Sequence, residues 1–83
     1  MSVTVYELTK GYCPKCKATI RRFQKHGIEP EVLSVEDNMD LAMSFVPNAK
    51  AAPIVVTDKG CWSDLNYDKI DAYANAIGHR PSR

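Results

Sequence analysis

Along this chain the spacing of apolar residues alternates between two and three-to-four, and each change predicts a new element. Val3 and Val5 alternate with polar neighbours, and the stretch stays partly apolar to Leu8: a strand. Gly11 breaks it. From Pro14 onward, Cys16, Ile20 and Phe23 fall at i, i+4 and i+7, while Lys17, Arg21, Arg22 and Lys25 occupy other positions. This predicts an amphipathic helix. A proline loses nothing in the first turn, where its N–H would be unpaired, and Gly27 is a natural stop.

Residues 31 to 36, EVLSVE, return to the strand pattern through Val32, Leu33 and Val35. Asp37 or Asn38 is placed to cap a short helix that carries Leu41, Ala42 and Phe45 and ends at Pro47. PIVVTD, residues 53 to 58, is apolar and short enough for a buried strand. Asp58-Lys59-Gly60 is turn chemistry, so Cys61-Trp62-Ser63 returns as the second arm of a hairpin. Asn66 is placed to cap a last helix with Ile70, Tyr73, Ala74 and Ile77 in one stripe, closed by Gly78. The HRPSR end reads as a frayed tail. The order β-α-β-α-β-β-α predicts an α/β fold, a four-stranded mixed sheet with helices on its faces. No repeat, low-complexity tract or linker divides the chain.

Size and charge narrow the field. Eighty-three residues support one small core. The apolar and charged fractions, 45% and 25%, are those of an ordinary soluble domain. A net charge of +1 gives no long-range field to draw nucleic acid or a membrane surface. The positive charge is local: Lys15, Lys17, Arg21 and Arg22 lie close together beside two cysteines. MSVTVYELTK has no basic stretch followed by an apolar one, so a signal peptide is not expected. No apolar run approaches the ~20 residues of a membrane span. Three cysteines, an odd number, argue against a secreted disulfide scaffold. A reduced, cytoplasmic, monomeric protein is the expectation.

Cys13 and Cys16 stand between the first strand and the first helix, in KGYCPKC. One helical turn separates the two sulfurs, so the pair can close a disulfide with little backbone movement. The first cysteine sits at or just before the helix N-terminus, where free N–H groups and the dipole favour a thiolate. Lys10, Lys15 and Lys17 add nearby positive charge, weakened by solvent screening. Cys16, on the apolar face, is expected to be less exposed. Cys13 therefore attacks and Cys16 resolves. A structural zinc site needs four ligands and the pair supplies two; Cys61, His26 and His79 show no paired spacing to complete it. A bridge over so short a loop restrains the unfolded chain little. A cluster shared between two chains stays open beside dithiol chemistry.

TKGYCPKC after a strand, AAPIVV from residue 51 and WSDLNYDKI from Trp62 together resemble the glutaredoxin-fold proteins, and among them the NrdH-redoxins. The resemblance spans residues 3 to 77. It implies a thioredoxin/glutaredoxin fold over residues 1–79 with a tail at 80–83. It implies a thiol-disulfide oxidoreductase that binds no cofactor of its own. Its electrons would come from NADPH through thioredoxin reductase and pass to ribonucleotide reductase. By position, Cys13 and Cys16 match the redox pair, and Pro53 matches a cis-proline beside it, which would let the Ala52 backbone pair with an extended partner segment. Lys10, Tyr12, Pro14 and Lys15 match positions of the redox loop. Trp62 and Ser63 match a Trp-Ser near the partner-binding face. A lone tryptophan is otherwise core, and Lys10 and Tyr12 are otherwise a solvated lysine and a half-buried tyrosine.

The chain also departs from the pattern. Asp64-Leu65-Asn66-Tyr67 replaces the usual Gly-Phe-Arg-Pro. Gly60-Cys61 with Asp64-Leu65 is similar to a segment of glutathione-dependent glutaredoxins, whose acidic residue holds the γ-glutamyl ammonium. Asp64 is a candidate for that contact, with capping of the last helix the favoured alternative. Their Thr-Val-Pro is replaced by Ala51-Ala52-Pro53. Cys61 is expected to be a small buried hydrophobe. A binding module that uses the fold without turnover is the remaining alternative.

Overall fold

A computed structural model describes residues 2–78; His79 and the tail lie outside the described residues. The chain runs β1 (Val3–Glu7), α1 (Pro14–Lys25), β2 (Glu31–Ser34), α2 (Met39–Phe45), β3 (Ile54–Thr57), β4 (Gly60–Ser63) and α3 (Tyr67–Ala76). This is the expected order. The sheet order is β2-β1-β3-β4, with β1 parallel to β2 and the other pairs antiparallel. It is mixed, as the alternation of helices and a hairpin requires.

Strand periodicity sends alternate residues to two cores. Val3, Val5 and Val55 join Phe23 of α1, Trp62 of β4, and Ile70, Tyr73 and Ala74 of α3 on one face. Tyr6 and Ile54 point the other way, to Val35 and Ala42 of the α2 side. The Phe23 ring lies 6.4 Å from Trp62 and edge-on to Tyr73 at 6.3 Å, an aromatic cluster that holds α1 and α3 to the sheet. At the far end of α1, Arg22 grips Asp71 of α3 through two N–H bonds of 2.9 and 2.7 Å. His26 reaches the same carboxylate at 2.7 Å. The Arg22 fork, then His26, hold the Asp71 carboxyl well below the usual carboxylate range.

The local signals act where the sequence placed them. Gly27 follows α1 with φ 77°, a left-handed turn that suits glycine. Asn66 caps α3, its Oδ1 accepting the Lys69 N–H at 3.1 Å. Asn38 occupies the N-cap of α2, but its side chain turns back to the Ser34 carbonyl at 2.9 Å.

Three expectations need correction. Asp64 does not cap α3; Asn66 does, because the cap must lie within reach of the third helical N–H and Asp64 is two residues too early. Cys61 is exposed, because it alternates with the inward-facing Trp62 on the edge strand β4 and lies outside both cores. Tyr12 is not half-buried but 86% exposed, because the loop that carries it crosses open surface. In α2, only Ala42 of the three apolar residues is buried, with Leu41 and Phe45 about half exposed.

Ile70 is fully buried between α1 and the sheet, whereas Leu41 faces solvent. Ile70→Val is expected to lower unfolding free energy by about 1 kcal/mol, and Leu41→Ala to change it by less than ~0.5 kcal/mol. Urea denaturation of both variants checks the assignment of the core.

Candidate active site

The redox pair sits where β1 hands the chain to α1. Cys13 is the residue before the helix, and its backbone is non-helical (φ −132°, ψ 82°). Its Sγ accepts the Cys16 N–H at 3.2 Å, the bond a serine or aspartate oxygen makes at an ordinary N-cap. Its carbonyl accepts the Lys17 N–H at 3.3 Å, the first bond of the helix. Pro14, at the first helical position, has no N–H to leave unpaired. A sulfur held against unpaired helix amides is in the right place to carry negative charge.

The two cysteines are joined as a disulfide, with Cα atoms 5.3 Å apart. Their exposure differs as their positions demand. Cys13 is half-buried and opens onto a recess of about 210 Å³ beside Gly11, Tyr12 and Lys17. Cys16 is fully buried on the inner face of α1, and its sulfur accepts the Leu8 N–H at 3.5 Å. An incoming disulfide can reach only the first sulfur directly.

Two further segments are tied to the Cys-x-x-Cys stretch through Lys15. The Ala52–Pro53 peptide is cis, as the resemblance implied, and the Pro53 ring is fully buried. The Pro53 carbonyl accepts the Asp64 N–H at 2.9 Å, tying the start of β3 to the loop after β4. Asp64 has φ 69° and accepts its neighbour's N–H, from Leu65, at 2.7 Å. Its carboxylate meets Lys15 Nζ at 3.0 Å. Lys15 and then the Leu65 amide hold the Asp64 carboxyl below its ordinary range. The structure thus links Lys15, which with Pro14 lies between the cysteines in sequence, to Asp64, and Asp64 to Pro53.

Other candidates lie apart in character. Trp62 is buried against Phe23, and Ser63 pairs with Ile54 in the sheet. Ala52 is half-buried beside Pro53. The Lys10 side chain is exposed, and its backbone N–H donates to Glu36 at 2.8 Å. Glu36 itself escaped the sequence reading, because a glutamate at the end of a strand carries no local signal. Among the described residues no group of three or more His, Cys, Asp or Glu is placed to hold a metal. No helix there is long and apolar enough to cross a membrane.

A half-buried sulfur capping a helix, joined by a disulfide to a buried partner one turn on, defines a thiol-disulfide oxidoreductase on the thioredoxin/glutaredoxin fold. Residues 3–60 match the glutaredoxin family, and the chain belongs to it. Among solved structures it is similar to the glutaredoxin-like protein NrdH-redoxin from Escherichia coli, with a TM-score of 0.73 and 25% identity. The match covers 87% of this chain and 93% of that one. The resemblance to NrdH-redoxins read from the sequence is borne out. No curated protein matches the chain.

Proposed function

We propose that this chain is a dithiol carrier that takes electrons from NADPH through thioredoxin reductase and delivers them to ribonucleotide reductase. The observation that carries the chemistry is the unequal burial of the two sulfurs at the α1 N-terminus. The Cys13 thiolate attacks a disulfide in the acceptor; that S–S bond breaks, a mixed disulfide forms, and one acceptor sulfur leaves as a thiol after taking a proton. Cys16 gives up its proton and attacks Cys13 Sγ. The second acceptor sulfur leaves as a thiol, and Cys13–Cys16 is oxidised. Two electrons have moved to the acceptor, and the flavoenzyme returns two to the pair. Stabilising the thiolate stabilises the reduced form, so the helix terminus makes the pair a stronger oxidant.

The choice of reductase rests on two supports. The E. coli relative is described as having a thioredoxin-like activity profile. Asp64, the candidate for holding the γ-glutamyl ammonium of glutathione, is already engaged by Lys15 from within the Cys-x-x-Cys segment. An incoming ammonium must compete with that lysine.

The oxidised protein is expected to turn over with NADPH and thioredoxin reductase and to pass electrons to ribonucleotide reductase, while Cys13→Ser is inert. Turnover with glutathione but not with the flavoenzyme overturns the choice of reductase; cellular function surviving Cys13→Ser makes the protein a binding module instead. Lys15→Gln frees Asp64 and is expected to raise glutathione kcat/KM by up to about fivefold, the range of an exposed ion pair. An unchanged value in steady-state assay removes the competition argument.

A further inference from the structure

One carboxylate outside the redox motif collects the donors of the loop that delivers Cys13. The strand expected over 31–36 ends at Ser34; Val35 N–H still bonds the Glu7 carbonyl at 2.8 Å, and Glu36 then turns out of the ladder. Its two carboxylate oxygens receive the Thr9 N–H at 3.0 Å each and the Lys10 N–H at 2.8 Å. The Thr9 hydroxyl donates at 2.9 Å and the Ser34 hydroxyl at 3.0 Å. The first four of these bonds come from the stretch after β1. Only Gly11 and Tyr12 separate it from Cys13, and both are exposed.

We propose that Glu36 is a positioning residue for Cys13: its carboxylate clamps Thr9 and Lys10 so that, once the disulfide opens, the sulfur stays at the N-terminus of α1. The need for a clamp follows from the redox cycle. In the oxidised protein the Cys13–Cys16 bond itself fixes the loop to the buried face of the helix. Reduction removes that tie at the moment when Cys13 must be a thiolate. What then holds the loop is the Glu36 cluster, at one end, and the sulfur's own bond to the Cys16 N–H, at the other. Two adjacent backbone N–H groups converging on one anion form a concave, preorganised site. The Thr9 and Lys10 amides hold the Glu36 carboxyl down to about 2, so the clamp stays charged throughout the pH range in which a thiol titrates. A neutral glutamine accepts through one oxygen only, and cannot serve both the Thr9 hydroxyl side and the Lys10 side.

A clamp and a bare negative charge act on Cys13 in opposite senses. Loss of the clamp lets the sulfur leave the helix terminus, so the thiolate loses stabilisation. Loss of a nearby negative charge alone makes the thiolate easier to form. The test is the pH profile of Cys13 alkylation by iodoacetamide in the reduced protein, in a Cys61→Ser background, for the parent, Glu36→Gln and Glu36→Ala. Thr9→Val is included because it removes one donor and leaves the charge. Thermal melting reports whether each variant folds, and Glu36→Gln, which keeps the side chain's size, stands if Glu36→Ala does not. The expected result is a profile displaced to higher pH, with the rate below the apparent pKa falling roughly threefold in Glu36→Ala, the scale of a helix-terminus interaction. Glu36→Gln and Thr9→Val shift the same way by less. A displacement to lower pH in Glu36→Gln means that the residue acts only as a charge. A lower melting temperature with an unmoved profile means that it only supports the fold. Either overturns the proposal. The proposal rests on Cys13 as the attacking sulfur. If the parent itself shows Cys13 unreactive, that reading fails with it, whereas a reactive Cys13 indifferent to Glu36 removes the clamp alone.

Discussion

Everything in this molecule's chemistry depends on one bond, the Cys16 N–H held against the Cys13 sulfur at the start of α1. A thiol in open solvent is a poor nucleophile at neutral pH, because little of it is ionised. A sulfur at the N-cap shares the electrostatic position that anions take at helix starts. The fold exists, in functional terms, to keep that helix terminus where an incoming disulfide can reach it. Phe23, packed among Trp62 and Tyr73, fixes the body of α1, and the Arg22–Asp71 pair fixes its far end to α3.

The surroundings divide the work between the sulfurs. Burial keeps Cys16 from partners and within reach of Cys13, which supports the proposed division into an attacking and a resolving sulfur. The loop before Cys13 and the loops at Pro53 and Asp64 come from distant parts of the chain; polar bonds hold the first and the last, while the Pro53 ring is also buried. This suits a site that must stay open to a macromolecule, since an apolar enclosure would bury the attacking sulfur along with the resolving one.

Element order, sheet type and the place of the cysteine pair at the start of α1 were legible in the sequence because they rest on periodicity, glycine and proline placement, and one local motif. Cys16 and Phe23 lie on the helix stripe that their spacing predicted. What was not legible depends on which side of an edge strand, or which loop, meets a residue from elsewhere. Cys61 is exposed because β4 is the edge strand, paired on one side only, and the face that carries Cys61 lies outside both cores, a fact of topology rather than spacing. Asp64 looked like a cap because acidic residues before helices are caps, but its carboxylate is taken by Lys15, distant in sequence. Glu36 joins its donors across 26 and 27 positions of chain, and no local pattern announces such a pairing.

The thiolate absorbance of the fully reduced Cys61→Ser protein, followed against pH in the ultraviolet, bears on the helix-terminus bond most directly. Cys13 is expected to ionise clearly below the ordinary thiol value of about 8.5, with the buried Cys16 titrating later in a separate step. A single transition for both sulfurs at the ordinary value would mean that the helix start does nothing for Cys13.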